Sequence, residues 1–389
     1  MRRRLLITIV AGAAIISSIR TDAHKPVTSP FTFSDDVLPI VKAHCASCHS
    51  PGGVAPMSLL THVDAVPWGD SIRVELMSGH MPPWGLNVNA GRFRNLQQFS
   101  AREMNVLLTW ASGGTPPGQS AQDVAAPITP EWTLGAPDMT IPLRLASIGG
   151  DEQTRVEEFV IAAPPRPLRA VDLLPGTPAI VRRATISVRP AGGTRQAAGI
   201  TTEQMLALWV PGDHPVALDA GLAFQVPDAS ELVVRIHYRK TWQYERQAMT
   251  DQSTLGLYFA EPAAKNVQVL RAFTPDVRAS DLVPGFSRTF STTVNDDVQA
   301  VAVYAEPDLA DVNVRAVAVR PDGSREELIA FRPRADWMRR YWFREPISLP
   351  RGTRLEVVAT WDTGLLPPAA APLQPGERSS LSLALNVVR

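Results

Sequence analysis

The stretch His44-Cys45-Ala46-Ser47-Cys48-His49 holds both cysteines of the 389-residue chain. Two thiols this close can form a disulfide, cycle as a redox dithiol, bind a metal or carry a prosthetic group. A disulfide across so short a separation closes a tiny strained loop and restrains little of the unfolded chain. A thioredoxin-like dithiol follows a strand in a βαβ unit, whereas the preceding SDDVLPIVKAH reads as a capped helix with no strand ahead of it. Structural zinc is commonly held by two separated ligand pairs, and no second cysteine pair exists. Cys-x-x-Cys-His is the attachment motif of c-type haem. One haem c is therefore expected, with Cys45 and Cys48 as thioethers on the vinyl groups and His49 as an axial ligand. His44 is then a bystander.

A methionine thioether opposite the histidine raises the iron potential for electron transfer. Met57, Met77 and Met81 are the candidates. Met81 opens MPPW, where Pro82 and Pro83 stiffen a non-helical loop suited to holding a ligand. Met57 follows His49 too closely to cross to the opposite face with ease, and Met77 in IRVELM reads as a core position on a short helix. Met81 is the expected ligand, and His80 is next.

These residues need elements to hold them. Val37, Leu38 and Val41 mark an opening helix, and Ser100-Ala101-Arg102-Glu103 is a capping box. Met104, Leu107, Leu108 and Ala111 then follow at helical spacing up to Gly113-Gly114. Two helices around a haem-bearing middle resemble a class I cytochrome c, so residues 31–114 are expected to form a small all-α domain. Trp68, Trp84 and Trp110 would pack against the porphyrin or fill the core.

Residues 115–130, TPPGQSAQDVAAPITP, lack periodicity and read as a linker. Beyond them come RVEEFVIA, AIVRRATISV, ELVVRIHYR, STLGLYFA, NVQVLRAF, QAVAVYA, VNVRAVAV, TRLEVVAT and SLSLALNVV, separated by proline and glycine turns. Alternation at this spacing predicts antiparallel β-sandwiches, and the length suffices for two, at 131–262 and 263–389. The expected fold is thus multidomain, an α-helical cytochrome domain followed by an all-β body.

At the other end, Arg2–Arg4 and the apolar Leu5–Ile19 have the form of a secretory signal, with residues 1–23 removed on export to the periplasm or retained as an anchor. Thirty-eight basic and 38 acidic side chains balance, so no nucleic-acid or anionic-membrane surface is indicated. Membrane association would come only from an uncleaved signal.

The order of segments, with HCASCHSPGGVAPMSLLT, MPPW, VRRATISVRP, LWVPGDHP, LVVRIHYRK, VRPDGSREELIAF and LPRGTRLEVVATWDTG, resembles bacterial fusions of a cytochrome c to a copper type II, ascorbate-dependent monooxygenase-like body. The resemblance implies two jelly-roll sandwiches and two copper sites, one of three histidines and one of two histidines and a methionine. This chain departs from that pattern. Arg182-Arg183 stands at the His-His pair, Glu306-Pro307-Asp308 at the His-x-His, and no methionine lies among 377–381. Only His237 matches, as a remnant; His214 sits in an exposed turn, and these are the only histidines after residue 113. Arginine cannot deprotonate to bind metal. A network joining Arg182 and Arg183 to Glu306 and Asp308 across the cleft is one use of the substitutions, and solvated surface charge is the other.

The expected function is one-electron transfer in the periplasm to a redox partner protein or larger assembly, with the β body as docking module or scaffold. The alternatives are a copper-dependent monooxygenase fed by its haem, and a small-molecule site in the old cleft.

Overall fold

A computed structural model describes residues 28–85, 90–94, 96, 98–119, 130–192, 203–278, 285–306, 312–361 and 378–389. The expected signal segment, residues 120–129 of the linker, Pro307, Asp308 and Glu377 lie outside the described residues.

The α-helices are short: α1 (Leu38–His44), α2 (His62–Ala65), α3 (Gly69–Met77) and α4 (Ala101–Ser112). Pro39 in the first turn of α1 costs no intrahelical bond there. Ser100 and Glu103 form the reciprocal capping box at α4, with bonds of 2.7 and 3.1 Å. Phe33, Val37, Val41, Leu107 and Trp110 bury their side chains together between these helices.

Strands dominate the remainder. In chain order they are β1 (Met139–Pro142), β2 (Ala146–Ile148), β3 (Thr154–Ala162), β4 (Leu168–Leu174), β5 (Val181–Pro190), β6 (Gln204–Trp209), β7 (Leu222–Ala223), β8 (Ser230–Arg239), β9 (Met249–Asp251) and β10 (Thr254–Phe259). The second half adds β11 (Lys265–Asn266), β12 (Gln268–Arg278), β13 (Ser287–Thr293), β14 (Val298–Ala305), β15 (Asn313–Val319), β16 (Arg325–Phe331), β17 (Tyr341–Leu349), β18 (Arg354–Thr360) and β19 (Arg378–Val388).

Sheet β3-β8-β5-β6 faces sheet β1-β10-β4. Ile186, Val234 and Ile236 from one meet Val171, Leu173 and Leu257 from the other in a single core. Sheet β12-β19-β14-β17 likewise faces β13-β18-β15-β16, with Leu383, Leu385, Val303, Val357 and Phe331 between them. Neighbouring strands are mostly distant in sequence, which means the chain crosses between sheets rather than meandering. All nine runs read as strands contain strands, while others, among them LRAVDLL (β4), QMLALW (β6), SRTFSTT (β13), REELIAF (β16) and YWFREPISL (β17), were not read as strands. In β4 both faces are mostly buried, which erases alternation, and in β17 the exposed run Arg344–Pro346 interrupts it.

The expected small all-α domain is not what the chain builds. The protein is predominantly β, with short helices packed onto it, and the segment after α3 is woven into the β body. Phe93 is 1% exposed, bridges to Phe343 and stacks on it at 5.3 Å inside the second sandwich. The Arg94 amide donates to the Trp342 carbonyl (2.9 Å) and the Arg332 amide to the Gly85 carbonyl (2.7 Å). Gly85 has φ +66°, and a Cβ there would sit 2.1 Å from the Arg332 carbonyl oxygen, so only glycine permits the approach. Helical periodicity in the sequence located the helices correctly, but autonomy depends on where Phe93 and Leu96 find apolar surface, and they find it in the sandwich. The linker also changes character at its start. Residues 115–118 are tied to the helices, with the Phe33 and Ser34 amides donating to the Pro116 and Pro117 carbonyls at 2.9 and 3.0 Å.

Candidate functional site

Helix α1 ends at the cysteines. The Cys45 amide closes the helix on the Val41 carbonyl (2.9 Å), and the Cys48 and His49 amides both return to the Cys45 carbonyl, at 3.0 and 2.8 Å. One tight turn therefore presents Cys45, Cys48 and His49 together. Both thiols are free. Burial pushes the Cys45 thiol up to about 12, with Cys48 adding to the shift, and burial also raises the Cys48 thiol, to about 11. Neutral, enclosed thiols are poor nucleophiles for disulfide exchange and poor metal ligands.

Burial lowers the His49 pKa and keeps the ring neutral, as a metal ligand must be. Its Nδ1 is buried with no hydrogen bond of normal geometry. The Met57 carbonyl nonetheless acts on the ring as an acceptor, pulling the pKa the other way. A ligating histidine characteristically directs its second ring nitrogen at such a carbonyl, which fixes the tautomer. The residues present thus fit an axially bound, thioether-linked haem: two neutral thiols and one neutral imidazole on a single turn, with an acceptor behind the ring.

The remaining candidates separate. Met81 lies in the turn after α3 and is 37% exposed. His80 is paired with Glu75 at 3.3 Å. Met57 is half-buried against the helical core. Met77, expected in that core, is 67% exposed; Leu76, one position earlier, takes the buried place. His44 packs on Phe99 and pairs with Glu103 at 3.2 Å. Trp110 is fully buried among the helices and Trp68 packs there in part. Trp84 instead joins the β body, under the Arg339 guanidinium at 4.3 Å and beside Trp337.

The β body closes directly on the cysteine turn. Gly212 has φ +77°, and a Cβ there would lie 2.6 Å from Ser47 Oγ. Cys48 Sγ is 3.7 Å from the Pro211 carbonyl oxygen. Arg182 Nη1 donates to the Val54 carbonyl at 2.6 Å, and its charge favours the Cys48 thiolate. Arg182 itself is pushed down to about 10 by burial and stays charged at neutral pH.

On the neighbouring strands β5 and β8, Arg183 Nη2 and His237 Nδ1 are 3.2 Å apart, in register. Burial and the Arg183 charge push His237 down to about 4. The proposed network with Glu306 does not form, because Glu306 pairs with Arg271 at 2.7 Å. The carboxylate acting on Arg182, Arg183 and His237 is Asp336, which pairs with Arg239 across the sandwiches at 2.7 Å. A second link between sandwiches joins Arg339 to Asp213. Arg340 donates to the Leu206 and Met205 carbonyls at 2.8 and 2.9 Å. Sequence reasoning missed Asp336 because it sits in a single 3-10 turn, Ala335–Trp337, too short to leave a periodic pattern. Among the described residues no cluster of three or more His, Cys, Asp or Glu side chains could hold a metal ion, and no helix is long and apolar enough to cross a membrane.

No protein-family model matches the chain, and no curated protein matches it. Among solved structures, it is similar to the major capsid protein P2 of bacteriophage PM2, at 11% identity over 64% of this chain and 97% of that one, with a TM-score of 0.27. It is also similar to VP54 of PBCV-1, at 9% identity over 64% and 92% of the two chains, with a TM-score of 0.24. For VP2 of infectious bursal disease virus the values are 10% identity, 66% and 75% coverage, and a TM-score of 0.19. Likeness this weak bears on neither fold nor function.

Proposed function

We propose that this protein is a periplasmic c-type cytochrome that passes single electrons to a redox partner protein, and that its β body serves as docking module or scaffold. The observation that carries the reading is the turn at α1: Cys45, Cys48 and His49 share it as neutral, enclosed groups, with the Met57 carbonyl behind the imidazole. Cys45 and Cys48 would hold the haem covalently and His49 would ligate its iron. The bound group supplies one iron whose oxidation state changes by a single electron.

Met81 is the second axial ligand in this reading. Met57 follows His49 by only eight residues and is half-buried against the helical core. Met81 has an exposed thioether in a proline-stiffened turn. The chain's own residues then do three things: Cys45 and Cys48 tether, His49 and Met81 ligate, and Pro211, Gly212 and Arg182 cover the turn and exclude water from it. Export follows from the signal-like first 23 residues.

The test is expression with haem-maturation machinery, followed by mass spectrometry and a visible spectrum. A mass increase of one haem, lost in Cys45→Ala/Cys48→Ala, and a Soret band are expected. Unmodified thiols at Cys45 and Cys48 would overturn the reading. Met81→Ala should remove the weak near-infrared sulfur-to-iron band; its survival would exclude Met81 as ligand.

A further inference from the structure

Strand β4 buries Val171 and Leu173 in the first sandwich. Alternation turns Asp172 to the opposite face. That face is not open to solvent. Asp172 is 4% exposed, and its register partner on β10 is Gly256. Trp132 lies across Gly256, where a Cβ would come within 2.7 Å of the ring, and so roofs this side of the sheet. Between the roof, the Pro211–Pro215 turn and the cysteine turn lies a cavity of about 280 Å³, whose wall includes Asp172, Leu174, Trp209, Val54 and Ser47.

The charges around this cavity are one-sided. Asp172, Glu131 and Asp213 line it, and no lysine or arginine does. Asp213 is answered by Arg339, reaching in from the second sandwich. Among the described residues nothing of opposite charge answers Asp172: its hydrogen bond comes from the adjacent Leu173 amide at 2.8 Å, through Oδ1. Its Oδ2 has no hydrogen-bond partner among the described residues, and the side chain lines the cavity. Burial, together with the nearby Asp213, holds its pKa up at about 7, as expected of a carboxyl lacking a counter-ion. A buried carboxylate is normally paired or coordinates a metal. A metal is disfavoured by the apolar wall of Leu174, Pro175, Pro178 and Pro211, by the pairing of Asp213 with Arg339, and by the lack among the described residues of any group of three or more His, Cys, Asp or Glu side chains that could hold one.

We propose that this cavity binds a small organic ammonium ion, with its cationic head on Asp172 and its apolar body against Trp209, Leu174 and Val54. The volume sits just under the roughly 300–1,000 Å³ of pockets for drug-sized ligands, which limits the occupant to a compact molecule. Trp209 offers an indole face to the same cation. The ligand would touch both the β body and the cysteine turn, and its binding does not depend on whether haem is attached.

Isothermal titration calorimetry on the full-length purified protein at pH 8 tests this with three isosteric probes: phenethylammonium, 2-phenylethanol and phenylacetate. Phenethylammonium should bind at least about ten-fold more tightly than the neutral alcohol, as expected for a charged hydrogen bond, and phenylacetate should not bind. Asp172→Asn should abolish that preference while unfolding at or above the wild-type temperature, and Glu131→Gln should leave it intact. Equal affinity for the alcohol, unchanged phenethylammonium binding by Asp172→Asn, or no detectable heat with phenethylammonium at millimolar concentration would each overturn the proposal.

Discussion

Arg183 Nη2 donates to His237 Nδ1 across 3.2 Å, an arrangement that requires a neutral imidazole. The Arg183 guanidinium thus occupies the lone pair of His237 Nδ1. A metal ion arriving at His237 would have to displace a guanidinium held in register on the neighbouring strand.

This pair makes stability depend on pH. His237 titrates near 4 in the folded protein against an ordinary 6.5, so the unfolded chain binds the extra proton between those values. Its contribution is complete above pH 6.5 and is lost as the pH falls toward 4; discounted for partial exposure, the loss is about 2 kcal/mol. Asp172 works in the opposite sense. Its folded pKa of about 7 exceeds the ordinary 3.8, so the folded state binds the extra proton and stability declines as the pH rises from 3.8 to 7. Urea unfolding across pH 4–7 should therefore rise more steeply with pH in Asp172→Asn than in wild type. His237→Gln, whose side-chain carbonyl can still accept from Arg183, should decline with pH. Parallel profiles for all three proteins would refute both assignments.

The two ion pairs between the sandwiches should differ sharply in worth. The Arg339 side chain is 2% exposed and that of Asp213 10%, so Asp213→Ala leaves a buried guanidinium without its carboxylate and should cost about 3–5 kcal/mol. Arg239 and Asp336 are 45% and 39% exposed, and Asp336→Ala should cost no more than about 1 kcal/mol. Equal losses in denaturant midpoint would contradict the burial difference.

Phe93 ties the helical segment into the second sandwich. Phe93→Ala should destabilise the protein by about 3–5 kcal/mol, the cost of truncating a fully buried phenylalanine. Limited proteolysis should then cut first near residues 85–94. Resistance equal to wild type would mean that the segment docks without that ring.

Arg182 holds a buried positive charge beside Cys48. Arg182→Gln preserves a donor for the Val54 carbonyl and removes the charge. On the proposed haem reading, a nearby cation disfavours the more positive, oxidised iron, so its removal should lower the midpoint potential in a potentiometric titration of the haem-loaded protein. An unchanged or raised potential would show that the Arg182 charge does not reach the iron.

The sequence by itself determined that Cys45, Cys48 and His49 share one turn, because residues this close are placed by local backbone alone and the turn needs only the end of α1 to form. It also determined the helix at 101–112 through its capping box, and the nine strand-bearing runs between proline and glycine turns. The tertiary structure decided the rest. Phe93 and Trp84 lie in a stretch without periodicity, and only the β body shows where their apolar surface goes. Asp336, and not Glu306, faces the arginines because strand crossovers bring the Ala335–Trp337 turn to that place. Asp172 looks in sequence like one polar residue in LRAVDLL; its uncompensated burial arises from Trp132, the Pro211–Pro215 turn and the cysteine turn meeting over it. Long-range packing sets such environments, and no local pattern of residue types records it.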